Sequence, residues 1–151
     1  WVDIGSSYLP SDMLAAYLLA QLEEWHKIQA KRKKIWGEYN SQLQDWTQQY
    51  GVQRPFVPEY CEQAYHMYYL LLPTLESRQA FIAHLKKHGI LSVFHYLPLH
   101  LSAMGKKFGG KEGDCPITED VSDRLVRLPM FFSLSEHEQS YIIERIKEFK
   151  L

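Results

Sequence analysis

The chain has 151 residues and a formal net charge of −1, which is enough length for one domain with a real core and supplies no global field to draw it to nucleic acid or an anionic membrane. Aromatic residues make up 14 %, a supply that fills cores and marks interfaces where one edge stays wet. The longest apolar run, Met67–Pro73, is far too short to cross a bilayer, and two cysteines, Cys61 and Cys115, are too few for a disulfide framework and fit free thiols in the cytoplasm.

Residues 1–10 read as a lead-in, with Gly5, Ser6 and Ser7 as a flexible polar turn ahead of Tyr8. From Ser11 to Tyr50 the apolar residues recur at helical spacing: Leu14, Leu18, Leu22, Trp25, Ile28, Trp36, Tyr39, Leu43, Trp46 and Tyr50. Ser11 is a good N-cap, Asp12 places a negative charge in the first turn, and Gly51 followed by Pro55 marks the stop. One helix of that span would run roughly 60 Å at 1.5 Å per residue, longer than a domain of this size is wide. It is therefore expected to project, to bend near Gly37, or to cover something outside the chain. A start at Trp1 rather than at methionine, taken with the overlong helix, predicts a piece of a longer protein. Glu23 and Lys27 stand i,i+4 in the favourable order, and Lys31–Lys34 forms a dense basic cluster. That cluster reads first as a solvated helix face and second as a site for phosphate groups.

Residues 53–63 hold two prolines and little periodicity and read as a loop. His66–Pro73 follows as a near-continuous apolar run of strand length, expected to be buried on both faces. Thr74 can cap the next helix, with Phe81, Ile82 and Leu85 inward and Gly89 at its end. Leu91–Phe94 predicts a second strand, and Pro98–Pro116 a mobile loop rich in Gly and Lys. Thr118 is the expected cap of a short helix, Val126–Pro129 the third strand, and Ser135 with Glu138 a capping box for the last helix. The order is long helix, then strand, helix, strand, helix, strand, helix. The expected fold class is α/β, with a short sheet of about three strands covered by helices.

Candidate chemistry is sparse. His84 and His88 lie i,i+4 on a helix, but no further ligand follows at metal spacing, so a surface pair is the better reading. Neither Cys61 nor Cys115 has a base or a nucleophile motif beside it. Val93–His100 is different: it leaves a strand and enters a proline-restrained turn bearing His95, Tyr96 and His100, groups suited to bonding a polar ligand. Such residues also satisfy backbone groups in a turn, and local chemistry leaves both readings open. No phosphate-binding glycine loop, Ser-His-Asp signature or paired-carboxylate motif is present.

Several segments in order resemble the small C-terminal domain of DegT/StrS-type sugar aminotransferases. They are Gly5–Asp12, Ala15–Ala16, Gln21–Leu22, Lys31–Arg32 with Tyr39 and Leu43, Ala64–Tyr69, Val93–His100 and Arg127–Phe131. The resemblance covers essentially the whole chain, with residues 1–10 as the junction from a large domain and 11–151 as the small domain, divided into the long helix 11–50 and an α/β unit 64–151.

It implies a fold-type I enzyme that uses pyridoxal 5'-phosphate (PLP) to move an amino group from glutamate to a nucleotide-linked 4-keto sugar. The pairing of Trp1–Asp12 with Phe94–His100 points to a dTDP-linked sugar. In such enzymes the large N-terminal domain holds the PLP lysine, and the whole protein is expected to be a homodimer. The family's Ser-Phe-His-x-x-Lys stretch is absent here, so the chain alone is expected to bind no PLP and to be inactive.

At the junction, family members carry Gly-x-Asn-Tyr-Arg, matched here by Gly5, Ser7, Tyr8 and Leu9. The resemblance implies that Ser7 reaches the cofactor phosphate, while Leu9 cannot replace the arginine. It also implies substrate contacts from Tyr8, His95, Tyr96 and His100, with no catalytic residue and no metal ligand. A different class of function, an independent module binding a nucleotide or a protein partner, is the alternative.

Overall fold

In the computed structural model residues 8–151 are described. The helical stripe forms, but as three segments: α1 (Asp12–Glu23), α2 (Trp25–Gln42) and α3 (Gln44–Tyr50). The breaks fall on the single residues Glu24 and Leu43, whose ψ angles are 6° and 1°, and Gly37 lies within α2. The expectation of one unbroken helix with a bend near Gly37 is thus corrected. At Leu43 a cause is visible two residues earlier: the Ser41 hydroxyl donates to the Glu38 carbonyl at 3.2 Å, a back-bond that loosens a helix. Nothing in its surroundings explains the break at Glu24. Helical hydrogen bonds still bridge both points, from Ile28 N–H to the Glu24 carbonyl and from Thr47 N–H to the Leu43 carbonyl.

The two halves of this rod behave differently. Ser11 caps α1 as expected, but α1 buries none of its residues: Leu14, Leu18 and Leu22 lie open along it, as does Trp25 at the start of α2. In the second half Ile35, Tyr39, Leu43 and Trp46 are buried at helical spacing and form one wall of the core. Burying each such side chain is worth about 1.5–3 kcal/mol, so this half is held by the domain and the first half is not. The rod ends where Gly51 turns the chain with φ 65°.

The sheet has three short strands, β1 (Tyr69–Leu71), β2 (Val93–Phe94) and β3 (Leu125–Arg127), in the order β1-β3-β2. β3 is antiparallel to both neighbours, pairing Leu70 with Val126 and Val126 with Phe94. Helix α4 (Leu75–Lys87) carries the chain from β1 past β3 to β2, so the outer strands are parallel. Burial around β1 alternates: Tyr68, Leu70 and Leu72 are buried and Tyr69 and Leu71 are half-buried. That corrects the expectation of burial on both faces. A three-stranded sheet this short has one face on the core, and the apolar run supplies the other face as well.

Thr74 caps α4 in a reciprocal box with Ser77, and Ser135 and Glu138 do the same for α7 (Glu136–Glu148). Helix α6 (Pro116–Arg124) starts before Thr118, with Cys115 at its N-cap and Pro116 in its first turn, where the missing N–H costs nothing. The segment between Pro98 and Pro116 is not an open loop. It forms a 3-10 turn at Leu99–Leu101 and a short helix, α5 (Ala103–Lys107), capped by Ser102.

Several polar groups in the core are satisfied across elements. The buried Tyr39 donates its hydroxyl proton to the Pro129 carbonyl at 2.9 Å, and Trp46 donates to the Phe149 carbonyl at 3.1 Å. Gln139 of α7 donates to the Ile35 carbonyl at 2.7 Å. Burial pushes the Tyr39 and Tyr68 phenols far above their ordinary pKa, so both stay neutral. In the basic cluster Lys34 pairs with Glu136 on the surface, and Lys27 pairs with Glu24 rather than with Glu23. Both cysteines are exposed and free.

Candidate functional site

β2 ends at Phe94, and the chain leaves it through His95 and Tyr96 into the turn fixed by the buried Pro98. His95 and Tyr96 sit edge to face, ring centres 5.2 Å apart. Along with Leu97, Pro98 and Leu99 they form one wall of a cleft of about 510 Å³, whose other wall is Ile117, Val121 and Leu125 of the α6–β3 segment. The cleft is mainly apolar, with a few polar groups at its rim, the usual make-up of a small-molecule site. The Nδ1 atom of His95 is closed off from solvent and has no hydrogen-bond partner. Buried polar atoms are nearly always paired, so this nitrogen is an exception on a residue that also walls the cleft.

His100 does not line this cleft; its side chain is 16 % exposed, with Nε2 2.7 Å from Glu119 Oε1. Glu119 also accepts the backbone N–H of Gly113 with both oxygens, at 3.0 and 3.1 Å, and that of Cys115 at 3.3 Å. These bonds, the one from His100 foremost, hold the Glu119 carboxyl below its ordinary pKa. With Nε2 turned to the Glu119 carboxylate, Nδ1 is the ring nitrogen left for another partner. The backbone nearby is tight: a Cβ on Gly105 would stand 2.1 Å from the Leu99 carbonyl oxygen, and one on Gly110 2.4 Å from that of His100. Glycine at these two positions lets the segment fold against the turn instead of swinging free.

The structure thus brings His95 and Tyr96 together on one cleft, whose lining does not include His100. Tyr8 is 92 % exposed and lines none of the cleft, and Ser7 lies outside the described residues. His84 and His88 face each other at 4.9 Å, but His84 Nε2 is bonded to the Arg145 carbonyl, and no cluster of three metal-ligating groups exists among the described residues. Two residues escaped the sequence reading. Glu119 sits three residues past a helix-opening proline, where a carboxylate can gather loop N–H groups, and Arg127 is a charge inside an otherwise apolar strand.

Solved aminotransferase structures superpose on this arrangement of a long leading helix, a short antiparallel sheet and a closing helix. One from Brucella abortus, described as a DegT DnrJ EryC1 StrS aminotransferase, is 33 % identical with a TM-score of 0.74, covering 88 % of this chain and 34 % of its own. A Streptococcus pneumoniae protein solved in its PLP form is 29 % identical with a TM-score of 0.82, covering 91 % of this chain and 35 % of its own. GDP-perosamine synthase of Escherichia coli O157:H7 is 30 % identical over 153 residues, covering 99 % of this chain and 39 % of that protein. The sequence profile of the DegT/DnrJ/EryC1/StrS aminotransferase family matches residues 2–147. The chain belongs to this family, whose members are PLP-dependent aminotransferases. It spans only 36–39 % of the length of the curated relatives it matches.

No lysine among the described residues is buried, and none lines the His95–Tyr96 cleft.

Proposed function

We propose that this chain is the substrate-facing small domain of a PLP-dependent aminotransferase that transfers an amino group from glutamate to a dTDP-linked 4-keto-6-deoxy sugar. The reaction is that of dTDP-4-amino-4,6-dideoxygalactose transaminase, a cytoplasmic step toward surface polysaccharide such as enterobacterial common antigen or lipopolysaccharide. Family membership supports sugar transamination. The observation that carries the site assignment is the pair His95 and Tyr96, ring against ring, on one wall of the apolar cleft.

In this reading His95 and Tyr96 bond the sugar nucleotide directly, and the apolar wall excludes water around it. His100 contributes through Nδ1, its ring oriented by Glu119. Ser7 reaches the cofactor phosphate and Tyr8 the substrate of the second subunit of a homodimer. The PLP lysine comes from a large domain ahead of Trp1. The open stripe Leu14, Leu18, Leu22 and Trp25 packs on that domain or on the second subunit.

The test begins with the coding sequence upstream of Trp1, which should encode roughly 200 residues, a normal domain length, with a PLP-type lysine motif. The protein so defined should aminate dTDP-4-keto-6-deoxyglucose with L-glutamate as donor. His95→Ala should lower kcat/KM for the sugar nucleotide about ten- to a hundredfold, the loss expected for one or two substrate hydrogen bonds, while the PLP absorbance stays intact. Unchanged kinetics in that variant would remove His95 from the site.

A further inference from the structure

β3 is the middle strand, and Arg127 lies in register between Tyr69 on one side and Val93 on the other. Its chain neighbours Val126 and Leu128 are buried in the core. By strand alternation Arg127 therefore stands on the opposite face of the sheet, where it is half-buried. A guanidinium cannot shed its charge, and it carries five N–H donors. Arg54, Arg124 and Arg145 each find an oxygen: the Asn40 carbonyl, the Asp120 carboxylate and the Glu148 carboxylate. Arg127 finds none. Its Nε is closed off from solvent without a partner, and among the described residues its guanidinium makes no ion pair and no hydrogen bond.

What it does have is the ring of Tyr96, whose centre is 5.9 Å from the guanidinium carbon. A ring face attracts the cation but cannot accept in-plane N–H donors, so the fork remains unfilled. Tyr96 also walls the cleft, which puts the unfilled fork beside it. Two other arginines have an orphaned Nε: Arg145, whose Nη atoms pair with Glu144 and Glu148, and Arg78, which lies against Phe94, a residue outside that wall. A partly desolvated charge without a counter-charge is costly, and the planar fork matches the paired oxygens of a carboxylate or a phosphate.

We propose that Arg127 is an anion-binding residue at the rim of the cleft, taking one carboxylate or phosphate group of a small-molecule ligand, with Tyr96 stacked beside the guanidinium. The proposal rests on the cleft being the substrate site. The two sources of such a group there are the diphosphate of the sugar nucleotide and a carboxylate of the amino donor, and the chemistry of the fork suits either.

The 151-residue chain itself can be tested. It is titrated separately with dTDP, inorganic phosphate and L-glutamate at constant ionic strength. Proton–nitrogen correlation spectra follow the arginine Nε–H signals and the backbone amides of residues 93–100. The Arg127 signal is assigned by its absence from Arg127→Lys. A saturable shift of that signal with dTDP and phosphate identifies the phosphate source, and one with glutamate identifies the carboxylate source. Arg127→Gln should weaken the binding at least about tenfold, as expected for loss of a charge-assisted bond, and Arg127→Lys should recover part of it. If dTDP moves the amides of His95 and Tyr96 while the Arg127 signal stays still, this proposal is overturned and the reading of the cleft stands. If no probe gives a saturable response at any of these signals, both are overturned. The wild-type titration decides the matter even if Arg127→Gln fails to fold.

Discussion

Glu119 accepts the Nε2–H of His100 at 2.7 Å while the same carboxylate collects the backbone N–H groups of Gly113 and Cys115. One side chain at the start of α6 thereby fixes both the His100 imidazole and the turn that leads into the helix. His100 is therefore a residue with a fold duty as well as a candidate ligand contact.

The pH dependence of that node follows from its sign. The folded protein holds the Glu119 carboxyl below its ordinary value, first through His100 and then through Gly113. The stabilisation is complete above the ordinary glutamate pKa and is lost as pH falls through the lowered folded value. Glu119→Gln should therefore melt below wild type at neutral pH, with the gap closing in acid. His100→Ala should also lower the melting temperature at neutral pH. Melting curves across pH for the three proteins check this, and a gap for Glu119→Gln that is the same at every pH would count against it.

Two glycines should respond oppositely to alanine. Gly37 sits inside α2 with open space where a Cβ would go, so Gly37→Ala should stabilise the chain by about 0.5–1 kcal/mol. Gly105→Ala would drive a methyl group into the Leu99 and His100 carbonyls and should destabilise it. Urea unfolding of both variants measures the difference. A stabilised Gly105→Ala would mean that the α5 turn is not packed as described.

Tyr39 is buried and its hydroxyl is bonded to the Pro129 carbonyl. Tyr39→Phe keeps the ring stacked near Tyr68, at 5.3 Å, but strands the carbonyl. The expected cost is about 1–3 kcal/mol, read as a lower urea midpoint with an unchanged slope. A change in slope would point instead to altered compactness.

The chain alone should form no specific Schiff base. None of its described lysines is buried or lines the cleft. Incubation with PLP followed by borohydride reduction should leave no stoichiometric pyridoxyl label on any single lysine. Such a label, found by peptide mapping, would contradict the placement of the cofactor lysine elsewhere.

Much of the fold was legible because its signals are local. Ser11, Thr74 and the Ser135–Glu138 pair announce helix starts, Gly51 and Gly89 announce ends, and the strand-helix order follows from period and length. The breaks at Glu24 and Leu43 were not legible, because a backbone ψ near zero leaves no mark on composition. The compaction of residues 98–116 was missed for a related reason: glycine reads as freedom in a sequence, whereas Gly105 and Gly110 serve here as clearance between crossing backbones. In the site, His95 and Tyr96 stood out by chemical type at a strand's end. Glu119 and Arg127 did not, since the importance of each lies in a partner far along the chain or in the lack of one.

The uneven burial of the helical rod has a consequence for how the molecule opens. Isolated helices shorter than about 12–15 residues are marginal in water, and α1 has 12 residues with no buried anchor. Its amide protons should exchange through fraying from Asp12 onward, at rates that core substitutions leave untouched. The amides around Tyr39, Leu70 and Val126 exchange only when the whole domain unfolds. The protection boundary therefore falls between Trp25 and Ile35, inside the middle helix, and at neither of the two breaks in the rod.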